Sequence, residues 1–413
     1  MRRFLTFFVL LIALAATLVY GAMRWVDQQF ATPSALSSPI SLRVQQGSSV
    51  RSVLMELQAR GALKSAKLTE VYLRIHNRRV NIKAGEYAIP PNASPADIAK
   101  LLEEGKVVLF QLTVVEGSTF AEMRKALERH PKIIAKLKGK SNADVMIAIG
   151  HGGEHPEGRF FPDTYRFASE TTDVDLLKLS YGQMAQTLKA AWEQRAPDLP
   201  LRSPYEALIL ASIIEKETGQ PAERPRISGV FIERLRKGMR LQTDPTVIYG
   251  IGAKYDGDIR SKDLVTDTPY NTYTRAGLPP TPIALPGKES VFAAVKPEDT
   301  GDIFFVATGD GSGAHFFSKT LEEHNAAVAR YLARIKARNA TPAPVQQPEK
   351  RAPSSNTATP AAQGANGNST SASSAARANS AANNTGAPGS SRQSADAAPP
   401  VSQPTANDKA AQK

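Results

Sequence analysis

Ser203-Pro204-Tyr205-Glu206-Ala207-Leu208-Ile209-Leu210-Ala211-Ser212-Ile213-Ile214-Glu215-Lys216-Glu217-Thr218-Gly219 is the best-specified helix of the chain, and it delivers carboxylates to its own end. Ser203 is placed to cap the first turn, Pro204 suits the first helical position, and Glu206 completes a capping box three residues after Ser203. Gly219 supplies the stop. About fifteen residues at ~1.5 Å each make a rod of roughly 22 Å, and Leu208–Ile214 make it apolar on most sides. Such a helix belongs in a core.

Its last turn carries Glu215 and Glu217, which a helix points about 200° apart. Glu217 lies over Ile214, Ile213 and Leu210; Glu215 lies over Ser212, Ala211 and Leu208, the less bulky surface. Glu217 is therefore the one expected to face the interior. Desolvation and the negative end of the helix dipole both favour its protonated form, the preparation a general acid needs. A Glu-Lys-Glu run is also what a solvated helix end looks like, so this stretch alone leaves both readings open.

The chain has 413 residues, room for two or three domains, and a formal charge of +12, which suits an anionic partner. Zero cysteines exclude disulfides, thiolate metal sites, Cys nucleophiles and a lipidated N-terminal Cys. Arg2 and Arg3 precede Phe4–Met23, an apolar run of about 20 residues, enough to cross a bilayer core. Arg2 and Arg3 favour an N-terminus inside and everything from about Arg24 outside, and the continuation of the apolar run through Val19 and Ala22 favours an uncleaved anchor. Ala13-Leu14-Ala15 keeps a cleavable signal peptide as the competing reading. Export in either form makes nucleic acid an unsuitable partner.

Taken in order, residues 1–23 read as a short cytoplasmic end and transmembrane anchor, and 24–39 as a linker. Residues 40–108 read as a small α+β module: a strand at Ser41–Val44, helices at about 50–60 and 66–76, a strand around Ala84–Tyr87, and a helix opened by Ser94-Pro95-Ala96-Asp97. That order is similar to the LysM class of wall-binding modules, with an ordinary α+β spacer as the alternative. Residues 109–338 form a larger mixed α+β domain, with a strand at 111–115, helices at about 120–130, 142–149, 173–195, 226–236 and 321–338, and a hairpin from Ile303–Ala307 and His315–Phe317. His151-Gly152-Gly153-Glu154-His155 fits an H-x-x-E-H zinc pattern, but two adjacent glycines and Pro156 argue against the helix that this pattern needs. No metal and no other cofactor is expected. Gly238–Gly250 and Thr268–Ile283, rich in Gly, Pro, Tyr, Asn and Thr, read as rigid loops that wall a groove at the end of the glutamate helix. Residues 339–413, composed of Ala, Ser, Asn, Pro, Gln and Gly, are expected to be disordered.

Phe161-Pro162-Asp163-Thr164, Ala211-Ser212-Ile213-Ile214-Glu215-Lys216-Glu217-Thr218, Gly238–Tyr249, and Asn271-Thr272-Tyr273 with Gly277-Leu278-Pro279-Pro280 occur together and in this order. In these motifs the chain resembles the YceG-like (MltG-type) endolytic murein transglycosylases from about Met1 to Arg338. The resemblance implies a single-pass protein of the cell inner membrane with its catalytic domain in the periplasm. It implies non-hydrolytic cleavage of the β-1,4 bond between N-acetylmuramic acid and N-acetylglucosamine within glycan strands. It places the essential glutamate at Glu217, with Gln242, Thr243, Asp244, Tyr249, Asn271, Tyr273 and Asp163 as substrate-binding candidates. Peptidoglycan strands are then the substrate, and peptidoglycan synthases are the protein partners to look for. A hydrolytic muramidase, with Asp163 or Asp244 as second carboxylate, is the alternative enzyme. A catalytically silent wall-binding scaffold of a synthesis complex is the alternative outside enzymes.

Overall fold

The computed structural model describes residues 2–78 and 80–340, so the low-complexity stretch from 341 onward lies outside the described residues. Helix α1 (Arg2–Ala31) presents its apolar side chains to the surroundings, with no part of its most hydrophobic window packed against the rest of the chain. It continues well past Met23. Phe30 is buried and stacks on Tyr72 at 3.5 Å between ring centroids, and Asp27 Oδ1 lies 3.2 Å from His76 Nε2. The stretch read as a linker therefore begins as a docked helix, because Phe30 joins an apolar core that its local sequence does not announce.

That core belongs to a module of two antiparallel strands, β1 (Ile40–Val44) and β2 (Gly85–Ile89), with α2 (Val50–Ala59), α3 (Ala66–Ile75) and α4 (Pro95–Glu104). Leu42 stands opposite Tyr87 and both are buried, while Ser41 and Arg43 face outward, the period of two expected of a half-buried strand. Val53, Leu54, Leu57, Leu73, Ile98 and Leu102 close the other side. Ser94 caps α4 as the sequence predicts: its hydroxyl accepts from Asp97 N at 3.2 Å and Asp97 accepts from Ser94 N at 3.0 Å. Such a cap is worth about 1 kcal/mol.

The larger part opens with β3 (Leu109–Thr113), paired antiparallel to β4 (Thr164–Ala168) with Leu112 opposite Tyr165. Helices α5 (Phe120–Arg129) and α6 (Asn142–Ile149) lie between them in sequence. Then follow α7 (Asp173–Glu193), α8 (Pro204–Glu217), α9 (Arg224–Arg236), α10 (Asp244–Ile251), α11 (Ser261–Val265), α12 (Lys288–Val295), the hairpin β5 (Phe304–Ala307) and β6 (His315–Ser318), and α13 (Leu321–Ala340). Three of these helices differ from the sequence reading, the short α11 having no counterpart in it. Asp244–Ile251 was read as loop, although Thr243, Asp244 and Pro245 are a usable helix start, and α12 was not read at all.

Helix α8 sits at the centre, packed by α7, α9, α10 and α12, with every residue from Ala207 to Ile214 buried. Fully burying one such Leu or Ile contributes about 1.5–3 kcal/mol. Its one buried hydroxyl is used twice: Ser212 Oγ donates to Ile209 O at 2.7 Å and accepts from Ile283 N at 3.0 Å, stitching the 281–285 segment onto the helix. The small module and the larger part are joined by Arg43–Glu170 at 2.5 Å and Lys132–Glu86 at 2.7 Å.

Candidate active site

Both ends of α8 deviate from the simplest sequence expectation. Ser203 Oγ does accept from Glu206 N at 3.3 Å, but the Glu206 carboxylate takes the Arg202 N–H at 2.6 Å, one residue before the expected capping-box partner. The helix stops at Thr218, which is buried and extended at φ −139°, so the break precedes Gly219. That break leaves Glu217 as the last helical residue.

Glu215 and Glu217 do point to different surroundings, yet the structure draws both side chains inward, whereas only Glu217 was expected there. The Glu215 side chain is 5% exposed and lies 3.2 Å from the Arg224 guanidinium, itself 8% exposed. Glu215 Oε2 also accepts from Gly287 N at 2.9 Å. Arg224 and Gly287 are remote in sequence, and without them Ser212 and Ala211 gave no reason to bury this carboxylate. With them, Glu215 is a fixed structural anion.

Glu217 has a different kind of neighbour. Thr243 donates its hydroxyl to Glu217 Oε1, and Thr243 is fully buried. Burial pushes the Glu217 carboxyl up to about 8, with the Asp244 charge adding to the rise and the Thr243 hydrogen bond and Arg234 opposing it. The residue retains intermediate exposure, so the acid is desolvated at its carboxyl and still reachable. It is protonated at neutral pH.

Arg234 builds the loop that brings Thr243 there. From a buried position on α9 its guanidinium donates to Ile303 O at 2.7 Å, Arg240 O at 3.1 Å, Leu241 O at 3.0 Å and Gln242 Oε1 at 3.3 Å. Gln242 takes φ +50°, a left-handed conformation unfavourable for most residues, and donates its N–H to Thr272 O at 3.2 Å. Thr243 N donates to Thr272 Oγ1 at 3.0 Å, and Thr246 and Thr272 hydroxyls meet at 2.9 Å. The two Gly-, Pro- and Thr-rich segments thus form one hydrogen-bonded wall beside Glu217.

Asp244 opens α10 in that wall. It is buried and accepts from Tyr273 Oη at 2.5 Å; burial raises its carboxyl to about 6, against the Tyr273 hydrogen bond. Of the candidates, Thr243 bonds Glu217 directly and Asp244 acts on it by its charge, while the Tyr273 hydroxyl holds Asp244 and the Gln242 side chain is held by Arg234. The other candidates serve elsewhere. Asn271 is buried, with Nδ2 donating to Asp263 O, Leu264 O and Thr266 O at 3.1, 3.0 and 2.8 Å and Oδ1 accepting from Tyr273 N at 2.8 Å, so its amide braces the wall. Tyr249 Oη donates to Glu157 Oε2 at 3.0 Å, and Asp163 is exposed at the head of β4, its carboxylate accepting from Thr164 N at 2.6 Å.

The sequence reading missed Glu157 and Arg234. Glu157 is buried, accepts from Phe120 N at 2.8 Å as well as Tyr249, and is raised to about 7 by burial. Arg234 did carry a signal: it falls on the apolar stripe of Ile227, Val230 and Phe231, where a charge needs several acceptors. His151 stacks on Tyr181 at 3.7 Å in a turn, so the H-x-x-E-H spacing does not lie on a helix. Among the described residues no group of three or more His, Asp or Glu is placed to hold a metal ion.

A glutamic acid kept protonated at the end of a core helix, beside a rigid polar wall, has the protonation state that a general acid needs. The chain belongs to the YceG-like family, whose sequence profile matches residues 42–330. The endolytic murein transglycosylase of Bacillus subtilis is 33% identical over 314 residues, covering 71% of this chain and 85% of that protein. The endolytic murein transglycosylase of Streptococcus pneumoniae is 24% identical over 361 residues, covering 79% of this chain. This chain spans 65% of that protein's length, just under two thirds. A crystal structure of a yceG-like protein from Listeria monocytogenes aligns at a TM-score of 0.44 and 31% identity, over 70% of this chain and 99% of that one.

Proposed function

We propose that this chain is an endolytic lytic transglycosylase that cleaves the MurNAc-β-1,4-GlcNAc bond within peptidoglycan strands and leaves 1,6-anhydro ends. The observation that carries the reading is the state of Glu217: a carboxyl raised to about 8, hydrogen-bonded by Thr243 and still reachable. Family membership and the names of the relatives support it.

In this mechanism protonated Glu217 gives its proton to the glycosidic oxygen as the C1–O bond breaks. The carboxylate then removes the proton of the muramyl C6 hydroxyl, whose oxygen closes on C1. One carboxyl serves both steps because each step returns the protonation state that the other requires. A hydrolase ordinarily needs a second carboxylate across the scissile bond. Asp244 is buried and held by Tyr273, and Asp163 is engaged with its own backbone turn, which favours the one-carboxyl reaction.

In this reading α1 is a retained membrane anchor, residues 40–108 and 109–338 are an accessory and a catalytic domain outside the cytoplasm, and the enzyme works beside wall synthesis. Mass spectrometry of glycan ends after incubation with the full chain tests the chemistry. Anhydro ends support it, reducing ends identify a muramidase, and intact strands identify a binding scaffold.

A further inference from the structure

Helix α3 has two apolar stripes and uses only one of them in the core. Ala66, Thr69 and Leu73 face inward, whereas Leu68, Val71 and Ile75, spaced i, i+3, i+7, are 45%, 40% and 53% exposed. At about 100° per residue the outer stripe lies between the face that meets α1 through Tyr72 and a basic flank of Lys67 and Arg74. On that flank Glu70 is held by Arg74 at 3.3 Å and Arg51 at 3.8 Å, so the cations Arg51, Lys67 and Arg74 outnumber it.

The direction of α3 is fixed by its contacts with α1. Tyr72 meets Phe30, and His76, one turn later, meets Asp27, nearly one turn earlier. The helices are antiparallel, and the C-terminal end of α3 points back toward the apolar run that ends at Met23. His76 is level with Asp27, which puts Ile75 roughly 7 Å beyond Met23 at ~1.5 Å per residue, inside the interfacial layer of a bilayer spanned by Phe4–Met23. Trp25, exposed in the same layer, is a residue favoured there. Beside the stripe, a cavity of about 260 Å³ between α1 and α3 is lined by Trp25, Phe30, Leu63 and Leu68 together with Gln29, Lys64 and Ser65.

We propose that the outer face of α3 is a membrane-seating surface whose partner is the anionic bilayer interface, so that the small module rests on the membrane. The inference rests on the reading of α1 as an anchor. It goes beyond that reading in giving the module a fixed orientation, with Ile75 deepest, Val71 next and Leu68 shallowest. A flexible tether would give no such order. Interfacial helices bury their apolar faces by roughly 5–10 Å, and a modest tilt of α1 toward α3 brings the whole stripe within reach.

The chain has no cysteine, so single labels can be placed without background. Full-length Leu68→Cys, Val71→Cys, Ile75→Cys, Leu11→Cys and Val265→Cys variants carry a nitroxide in nanodiscs of phosphatidylethanolamine and phosphatidylglycerol. Accessibility to oxygen and to a water-soluble nickel chelate gives the depth of each label. The expected order of protection from nickel is Leu11, Ile75, Val71, Leu68, then Val265, with Ile75 several-fold less accessible than Val265. Labels at 68, 71 and 75 as open to nickel as Val265, with Leu11 protected, overturn the proposal and leave the anchor standing. A nickel-accessible Leu11 overturns the anchor reading and the proposal with it. Dipolar broadening between Ile75 labels identifies a second copy of the chain as the occupant and also overturns it.

Discussion

The Glu215 carboxylate lies 3.2 Å from the Arg224 guanidinium, and that contact separates its role from that of Glu217, two residues on. Glu215→Gln should cost about 2–3 kcal/mol of stability, less than the ~3–5 typical of a broken buried pair, because Glu116 and Glu289 remain near Arg224. Turnover of the folded fraction should stay near that of the parent. Glu217→Gln should instead keep the fold and lose about 10²–10⁴-fold or more in anhydro product. Urea unfolding and product assays on both variants give the comparison, and equal catalytic loss with folding intact would refute the division of roles.

Stability should carry a pH signature of Glu217. An unfolded glutamate releases its proton near the ordinary value of 4.5, but the folded one holds it to about 8. Between those values the folded state binds more protons, so this group's contribution falls as pH rises and levels off above about 8. Glu217→Gln removes that dependence. The melting temperature of the variant relative to the parent should therefore climb from pH 5 to pH 8; a flat difference would show that the folded carboxyl is not raised.

The neighbours of Glu217 should move the upper limb of the activity profile in opposite directions. Asp244→Asn removes a negative charge that raises the Glu217 value, so loss of the acid form should occur at lower pH. Thr243→Val removes a hydrogen bond that lowers it, so the limb should move to higher pH as the rate falls. The pH dependence of kcat for the two variants decides the matter, and a shift of the same sign in both would contradict the arrangement.

Asn271 should behave as a brace. Asn271→Ala strips three backbone carbonyls of their donor and should cost about 2–3 kcal/mol. At a temperature where the variant is folded, KM should match the parent. A raised KM with unchanged unfolding would return Asn271 to the substrate side.

Much of the fold was legible because its signals are local. The caps at Ser94 and Ser203, the alternation of Leu42 and Val44 with Ser41 and Arg43, and the apolar run of Leu208–Ile214 each depend on a few adjacent residues. Thr243 meets Glu217, but Gln242, Tyr249 and Asn271 carry equally suitable side chains and spend them on internal bonds. Residue type does not reveal where a hydrogen bond is spent.

The sequence by itself determined that acids stand at the end of a core helix, and periodicity pointed to Glu217 as the one facing the interior. Only the tertiary structure decided what each acid meets. Arg224 and Gly287 fix Glu215, while Thr243 reaches Glu217 because Arg234 gathers the carbonyls of a loop and Gln242 turns it in the left-handed region. The same holds for α1, whose sequence shows an apolar span but whose continuation to Ala31 is fixed by Phe30 against Tyr72. Helix periodicity is set by a residue's immediate neighbours, whereas desolvation and ion pairing are set by groups that the fold brings from far along the chain.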